Sequence, residues 1–122
     1  MKEPYQVVIV DDNKDITNVF ADILEICGYK VVGVGKDGKE AVSLFLKYKP
    51  DFIFIDVMMP VMNGIQALKE IKENDAKAKV IMITADNSTN TANELEKLKA
   101  TATIIKPFKI EDVVKIMKNL EK

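Results

Sequence analysis

The chain contains the stretch Phe52-Ile53-Phe54-Ile55-Asp56-Val57-Met58-Met59-Pro60, in which four apolar residues precede a single carboxylate. A short run of aromatic and β-branched residues without a polar position is typical of a strand buried on both faces, as in a parallel sheet. Asp56 stands at the carboxyl end of this strand, and Pro60, Asn63 and Gly64 break the chain before the next helical pattern. Because ligands of open α/β sheets bind outside the carboxyl ends of the strands, Asp56 is a candidate site residue.

The composition excludes several classes of function. Of the 122 residues, 48% are hydrophobic and 30% are charged, a balance typical of one globular domain over residues 1–122. The net charge of −1 gives no reason to expect nucleic acid or an anionic membrane as a partner. The sequence has no histidine for catalysis or metal binding, and its single cysteine, Cys27, cannot form an internal disulfide. The apolar run 7–10 is too short for a signal peptide or a membrane span, so we expect a cytoplasmic protein.

Hydrophobic periodicity predicts five strands alternating with five helices. The predicted strands are residues 6–10, 29–34, 52–55, 79–83 and 103–105. In the five helices, the apolar positions expected to face the core are, in chain order, Ile16, Val19, Phe20, Ile23, Leu24 and Cys27; Ala41, Val42, Phe45 and Leu46; Ile65, Leu68 and Ile71; Ala92, Leu95 and Leu98; and Ile110, Val113, Val114, Met117 and Leu120. This alternation predicts an α/β fold, a doubly wound five-stranded parallel sheet. By analogy with known doubly wound folds of flavodoxin-like type, we expect the strand order 2-1-3-4-5.

The segment Gly33-Val34-Gly35-Lys36-Asp37-Gly38 matches the G-x-G-x-x-G fingerprint of dinucleotide-binding folds, with Asp56 near the position of the ribose-binding acid. Three observations count against this reading. Asp37 places a carboxylate where a pyrophosphate would sit. Asp37 and Glu40 form a pair resembling a capping box, which explains both polar residues locally. The fingerprint normally opens the first βα unit, whereas an earlier strand of this chain already ends in two aspartates.

Polar residues follow four of the predicted strands at their carboxyl ends, namely Asp11 and Asp12, Asp56, Thr84 and Lys106. With the first and third strands adjacent, three carboxylates converge. Like charges about 4 Å apart repel by about 4 kcal/mol at an effective dielectric of about 20, so such a cluster holds protons or a cation. Oxygen ligands favour Mg²⁺, with Mn²⁺ as the alternative. Lys106 and Thr84 offer a cation and a hydroxyl for a phosphoryl transition state, and a carboxylate can act as the nucleophile.

These residues resemble the motifs of response-regulator receiver domains of two-component signalling, similar to the stand-alone chemotaxis type. The resemblance covers essentially the whole chain and rests on four motifs in a fixed order: Val10-Asp11-Asp12, Asp56-Val57-Met58-Met59-Pro60 with Asn63-Gly64, Thr84-Ala85, and Lys106-Pro107-Phe108. Each motif alone is weak, and the four in this order are highly specific.

The resemblance implies that Asp56 accepts a phosphoryl group from the phosphohistidine of a sensor histidine kinase or a histidine phosphotransfer protein, or from a small phosphodonor. It further implies that Asp12, Asp56 and the Met58 carbonyl ligate Mg²⁺ directly, with Asp11 acting through water. The chain is expected to catalyse only its own phosphorylation and slow dephosphorylation, and is otherwise not an enzyme.

The resemblance also implies the groups that hold the phosphoryl oxygens. These are Lys106, the Thr84 hydroxyl and the Ala85 N–H, with the Lys106–Pro107 peptide bond cis. The sequence departs from the family pattern at Thr103, where a ring is usual, and at Lys99-Ala100, where Gly-Ala is usual. The first departure puts the usual aromatic switch in doubt.

Two further expectations concern the output. The chain ends at Lys122 without an output domain, so we expect a downstream partner protein or a role in a relay, and neither nucleic acid nor a membrane as a partner. The alternatives left open by the sequence are a dinucleotide-binding domain and a receiver that serves only as an interaction module and is never phosphorylated.

Overall fold

A parallel sheet of five strands forms the centre of the structure, a computed structural model that describes residues 4–121. The strands are β1 (Gln6–Val10), β2 (Lys30–Gly35), β3 (Phe52–Asp56), β4 (Val80–Thr84) and β5 (Ala102–Ile105). They lie in the order β2-β1-β3-β4-β5, as predicted, and every pair is parallel. The helices are α1 (Lys14–Ile26), α2 (Gly38–Tyr48), α3 (Gly64–Asn74), α4 (Thr89–Lys97) and α5 (Ile110–Leu120). The predicted doubly wound α/β fold is confirmed.

Alternate residues of the central strand enter two different cores. All five residues of β3 are buried, because helices cover both faces of the sheet. Phe52 and Phe54 pack in the core formed with α1 and α5, whereas Ile53 and Ile55 pack in the core formed with α2, α3 and α4. The side chains of a strand point to opposite faces in turn, so β3 contributes to both cores.

Local signals at the ends of α1 and α3 explain where these helices begin and end. The Asn13 side chain accepts hydrogen bonds from the backbone N–H groups of Asp15 and Ile16, which makes it the N-cap of α1. Asn63 caps α3 in the same way, accepting from Gln66 at 2.9 Å. After α1 the chain turns at Gly28, whose φ of 97° lies in the left-handed region that favours glycine.

The prediction that Ile16, Val19 and Leu46 face the core is wrong. Their exposed fractions are 41%, 59% and 44%. The apolar pattern of α1 is wider than the strip that the sheet can cover, and the buried strip runs through Thr17, Phe20 and Leu24. Ala92 of α4 is also exposed, contrary to prediction. Periodicity identified each helix correctly, and the packing against the sheet selected which part of its apolar face is buried.

None of the helices among residues 4–121 is both long enough and apolar enough to cross a membrane.

Candidate functional site

Asp11, Asp56 and Lys106 each lie two residues after a strand residue whose side chain packs in the core beside α1 and α5. Val7 and Ile9 of β1 lie in the core beside α1 and α5, and two residues further along the chain comes Asp11. In β3 the row of Phe52 and Phe54 continues to Asp56. The row that contains Ile104 of β5 continues in the same way to Lys106. Because the carboxyl ends of parallel strands lie at the same edge of the sheet, these three residues come together there as two carboxylates and one ammonium group.

Lys106 is the cation at the centre of this arrangement. Its Nζ lies 2.8 Å from Oδ2 of Asp56 and 3.5 Å from Oδ2 of Asp11. Burial alone would lower the pKa of Lys106, but the hydrogen bond and charge of Asp56, together with the charge of Asp11, raise it above its ordinary value. The lysine therefore carries a full positive charge directly against the Asp56 carboxylate.

A third carboxylate completes the cluster. Oxygen atoms of Asp11, Asp12 and Asp56 all lie within 4.8 Å of one another. Asp11 and Asp56 are buried, and Asp12 is exposed. Burial raises the pKa of Asp11, and the nearby charge of Asp56 raises it further, although the Asn13 N–H and the Lys106 charge act in the opposite direction. One lysine cannot balance three carboxylates, and the donor set is oxygen only, so these residues fit a hard divalent cation such as Mg²⁺.

The remaining oxygen of Asp56 is held by its own loop. The backbone N–H of Met58 donates to Oδ1 of Asp56 at 3.1 Å, while the Met58 side chain is 70% exposed. Both oxygens of Asp56 are thus oriented, one by Lys106 and one by the loop. The Lys106–Pro107 peptide bond is cis, the isomer that the resemblance implies.

Gly64 allows the Asp56 loop to lie against α3. A Cβ atom at this position would lie 2.2 Å from the carbonyl oxygen of Asp56 and 2.9 Å from Cα of Val57. The Gly64 N–H donates to the Val57 carbonyl at 2.9 Å. Only glycine permits this approach, so the first residue of α3 is directly coupled to the backbone that positions the carboxylate.

Thr84 lies at the same edge of the sheet but continues the opposite row, that of Val80 and Met82 in the core beside α4. It is fully buried, and its hydroxyl oxygen accepts a hydrogen bond from the Asp86 N–H at 2.9 Å. Register pairing sets Asp56 opposite Ile83, the neighbour of Thr84. The hydroxyl therefore lies on the α4 side of the sheet, one residue beyond the β4 partner of Asp56.

Beneath Thr84 lies a cavity of about 130 Å³, whose lining includes Leu95, Thr103 and Ile105. Thr103 is exposed at its mouth. Ala85 is also exposed, immediately after Thr84. The small residue at position 103 leaves this space unfilled by β5.

The interpretation of Gly33–Gly38 as a dinucleotide fingerprint is wrong. Asp37 is the N-cap of α2 and accepts from the Glu40 N–H at 2.8 Å, as the capping interpretation predicted. The Glu40 side chain accepts from the Lys36 N–H rather than from that of Asp37. A Cβ atom on Gly35 would meet Leu44 at 3.1 Å, so this glycine accommodates helix packing and not a bound pyrophosphate.

Two features of the site were not predicted from the sequence. The first is an apolar groove of about 410 Å³ beside the pocket, between α1 and the start of α5, whose lining includes Ile16, Val19 and Phe108. The second is a hydrogen bond between the side chains of Asp86 and Thr91. A signal for the groove existed, since the apolar pattern of α1 is broader than one buried strip. The Asp86 contact depends on the loop conformation and left no pattern.

Known proteins resemble this chain over nearly its full length. Residues 7–118 match the sequence profile of the response regulator receiver domain. Protein CcdB of Bacillus subtilis is 40% identical over 116 residues, covering 92% of this chain and 97% of that protein. Chemotaxis protein CheY of Thermotoga maritima is 38% identical over 117 residues, covering 96% and 98%.

Solved structures of receiver proteins also resemble this chain over nearly its full length. The crystal structure of the CheX–CheY–BeF3–Mg²⁺ complex from Borrelia burgdorferi matches with a TM-score of 0.93 and 29% identity, covering 98% of this chain and 91% of that one. The order of the strands and the acidic pocket with its lysine agree with the matched sequence profile and with these relatives. The chain therefore belongs to the response regulator receiver family and is a CheY-like receiver domain.

Proposed function

We propose that this receiver is a phosphoacceptor switch, in which Asp56 accepts a phosphoryl group and thereby changes the surface around α4 and β5. Phosphorylation on aspartate and binding of Mg²⁺ in the acidic pocket are general to the family. The observation that carries the assignment to Asp56 is the contact of Lys106 with its carboxylate at 2.8 Å, inside a cluster of three acidic residues.

The chemistry at Asp56 is a direct displacement at phosphorus. A carboxylate oxygen forms the new bond to phosphorus while the phosphorus–nitrogen bond of a phosphohistidine breaks, and the imidazole leaves with the electron pair. With acetyl phosphate, a phosphorus–oxygen bond breaks and acetate leaves. Water later attacks the phosphorus of the aspartyl phosphate, the bond between phosphorus and the carboxylate oxygen breaks, and inorganic phosphate leaves as the carboxylate is restored. Outside this cycle of self-modification, the chain turns over no separate substrate.

The acidic cluster would hold Mg²⁺ through Asp12, Asp56 and the Met58 carbonyl, with Asp11 acting through water. When bound, the ion would neutralise the anionic donor and the developing charge at phosphorus. The same donor set accepts Mn²⁺. Asp12, exposed at the mouth of the pocket, is well placed to meet a cation arriving from solvent.

Lys106, the Thr84 hydroxyl and the Ala85 N–H would bind the phosphoryl oxygens. The Lys106 ammonium already contacts the accepting carboxylate and would move with the charge onto the phosphoryl group. Thr84 can donate its hydroxyl proton, because its described hydrogen bond uses the oxygen as an acceptor.

The groove beside the pocket supports a protein phosphodonor. Its exposed apolar side chains Ile16 and Val19 are followed at helical spacing by Ile23 and by Ile26, which is 84% exposed. These four positions repeat as in a coiled-coil seam, which suits a helix of a partner. The groove reaches Phe108, two residues after Lys106, so a docked helix would lie next to the pocket. A histidine kinase or histidine phosphotransfer protein fits this position.

The assignment of Asp56 is tested by incubating the protein with acetyl phosphate and Mg²⁺ and measuring its intact mass. The wild type should gain one phosphoryl group, and Asp56→Asn should keep its fold by circular dichroism and gain none. Phosphorylation of Asp56→Asn at the wild-type rate would refute the assignment. No gain in the wild type would instead favour the interaction module that is never phosphorylated.

The partner assignment is tested by comparing two donors. Truncating Ile16 and Val19 to alanine removes exposed apolar surface worth about 1–2 kcal/mol, so transfer from phosphorylated histidine phosphotransfer domains should slow about tenfold. Transfer from acetyl phosphate should not change, because this donor needs no docking surface. The matched control is Leu46→Ala, a similarly exposed residue on α2. Equal slowing with both donors would contradict the role of the groove.

A further inference from the structure

Asp86 connects the hydroxyl of Thr84 to the first turns of α4. Its backbone N–H donates to Oγ1 of Thr84 at 2.9 Å. Its carboxylate accepts from the Ser88 N–H at 2.8 Å through Oδ1 and from the Thr91 hydroxyl at 2.6 Å through Oδ2. A single residue thus holds the buried site hydroxyl on one side and the helix on the other.

We propose that Asp86 and Thr91 form a latch that transmits the position of the Thr84 hydroxyl to α4. This inference rests on the proposed function, since the displacement of Thr84 is the signal that the latch carries. In this role Asp86 and Thr91 are positioning residues that touch no reacting atom.

The hydrogen-bond inventory of the Thr84 hydroxyl permits the transmission. A hydroxyl has one proton to donate and two lone pairs to accept with. The bond from the Asp86 N–H uses one lone pair, so the hydroxyl can donate its proton to a phosphoryl oxygen without releasing Asp86. A shift of the hydroxyl toward Asp56 therefore carries Asp86, and its carboxylate draws the start of α4 in the same direction.

The latch is additional to the cap of α4. Ser88 is the N-cap, and its hydroxyl already accepts from the Thr91 N–H at 3.3 Å. The bond between the side chains of Asp86 and Thr91 reaches outside the helix and is not required to start it. The Thr91 hydroxyl also lowers the pKa of Asp86, with a smaller contribution from the Ser88 N–H, so this carboxylate remains ionised as an acceptor.

The surroundings of α4 leave it free to follow. Leu95 is the buried residue of this helix, and the cavity of about 130 Å³ separates it from Thr103 and Ile105 of β5. A ring at position 103 would compete for this space. Because position 103 is threonine, the cavity leaves room for α4 to repack. The Asp86–Thr91 contact then couples α4 to Thr84, in place of an aromatic side chain that changes its rotamer.

The decisive variant is Thr91→Val, which removes the hydroxyl and keeps the branched shape. Thr89→Val is the matched control, because Thr89 lies on the same first turn, is exposed and has no side-chain hydrogen bond among residues 4–121. Amide hydrogen exchange is measured across residues 89–97 with and without beryllofluoride and Mg²⁺. Wild type and Thr89→Val should show the same change on addition, and Thr91→Val less than half of it. A full response in Thr91→Val would overturn the proposal.

A second measurement judges the latch without any phosphoryl mimic. Thr84→Val, Thr91→Val and the double variant form a double-mutant cycle on the exchange rates of α4 in the untreated protein. If Thr84 and Thr91 are coupled, the exchange rates of α4 amides in the double variant should differ by more than about twofold from the product of the two single-variant effects. Independent effects would overturn the latch. If beryllofluoride alters none of the proteins, the proposed function fails, and the cycle still decides whether the latch exists.

Discussion

Asp12 and Thr84 both lie at the carboxyl edge of the sheet, but they have different roles in the proposed phosphorylation reaction. Asp12 adds charge to the cluster that would bind the cation, whereas Thr84 contributes a neutral hydroxyl from the opposite row of the sheet. Asp12→Ala should weaken Mg²⁺ binding about tenfold or more and abolish phosphorylation, because an anionic donor approaches only a neutralised pocket. Thr84→Ala should slow phosphorylation without preventing it. Calorimetric titration with Mg²⁺ and intact mass test both, and equal Mg²⁺ affinity in wild type and Asp12→Ala would contradict this role of Asp12.

Asp11 should make the folded protein less stable as the pH rises. Because its pKa is raised above 3.8 in the folded state, the folded protein binds the proton more tightly than the unfolded chain does. The free energy of unfolding therefore falls as the pH rises from 3.8 through the folded pKa, and the loss persists at neutral pH. Asp11→Asn should raise the melting temperature at pH 7 in a chelating buffer.

Two conditions should remove the advantage of Asp11→Asn. Below the unfolded pKa of 3.8 both proteins are neutral at this position, so their melting temperatures should converge. Saturating Mg²⁺ should also reduce the difference, because a bound cation offsets the repulsion among the carboxylates. Asp22→Asn, on the exposed side of α1, is the control and should have little effect. A wild type more stable than Asp11→Asn at pH 7 without divalent ions would contradict the prediction.

At the scale of elements, the junction between β3 and α3 tolerates no side chain at Gly64. Alanine there would place a Cβ atom 2.2 Å from the Asp56 carbonyl oxygen, so the backbone of the acceptor loop must move. We expect Gly64→Ala to lower the free energy of unfolding by about 1–3 kcal/mol and to slow phosphorylation. Urea denaturation gives the first value, and the control is Gln66→Ala on the exposed face of α3. If Gly64→Ala kept the free energy of unfolding and the phosphorylation rate of the wild type, the prediction would be wrong, because the loop would have moved without loss of stability.

The helix α4 should be the least stable helix of the domain. Thr89, Asn90, Thr91 and Asn93 are poor helix formers, each less favourable than alanine by up to about 0.7 kcal/mol, and Leu95 is the buried residue. The last helix, α5, buries both Val113 and Met117. Amides of α4 should therefore exchange faster than those of α5, and a phosphoryl mimic should change their rates most. Equal protection in the two helices would disprove the prediction.

At the scale of the whole molecule, the sheet and the convergence of the acidic residues could be predicted from sequence. Buried parallel strands are continuous apolar runs, and their carboxyl ends meet by the rules of the fold, so Asp11, Asp56 and Lys106 were expected together. The exposure of Ile16 and Val19 could not be predicted, because a wide apolar pattern does not reveal which strip the sheet covers. The Asp86–Thr91 contact depends on a loop conformation that no periodicity encodes.

The alternation of β3 between two cores restricts how the length of this strand can change in evolution. Inserting or deleting one residue before Asp56 would exchange the two rows and turn the carboxylate away from Lys106 toward the core beside α2, α3 and α4. A change of two residues would restore the side but displace the carboxylate by about 6.6 Å along the strand, far beyond its 2.8 Å contact with the lysine. During evolution of this protein, residues of β3 can therefore be replaced by others of similar shape, but the number of residues in β3 must stay constant.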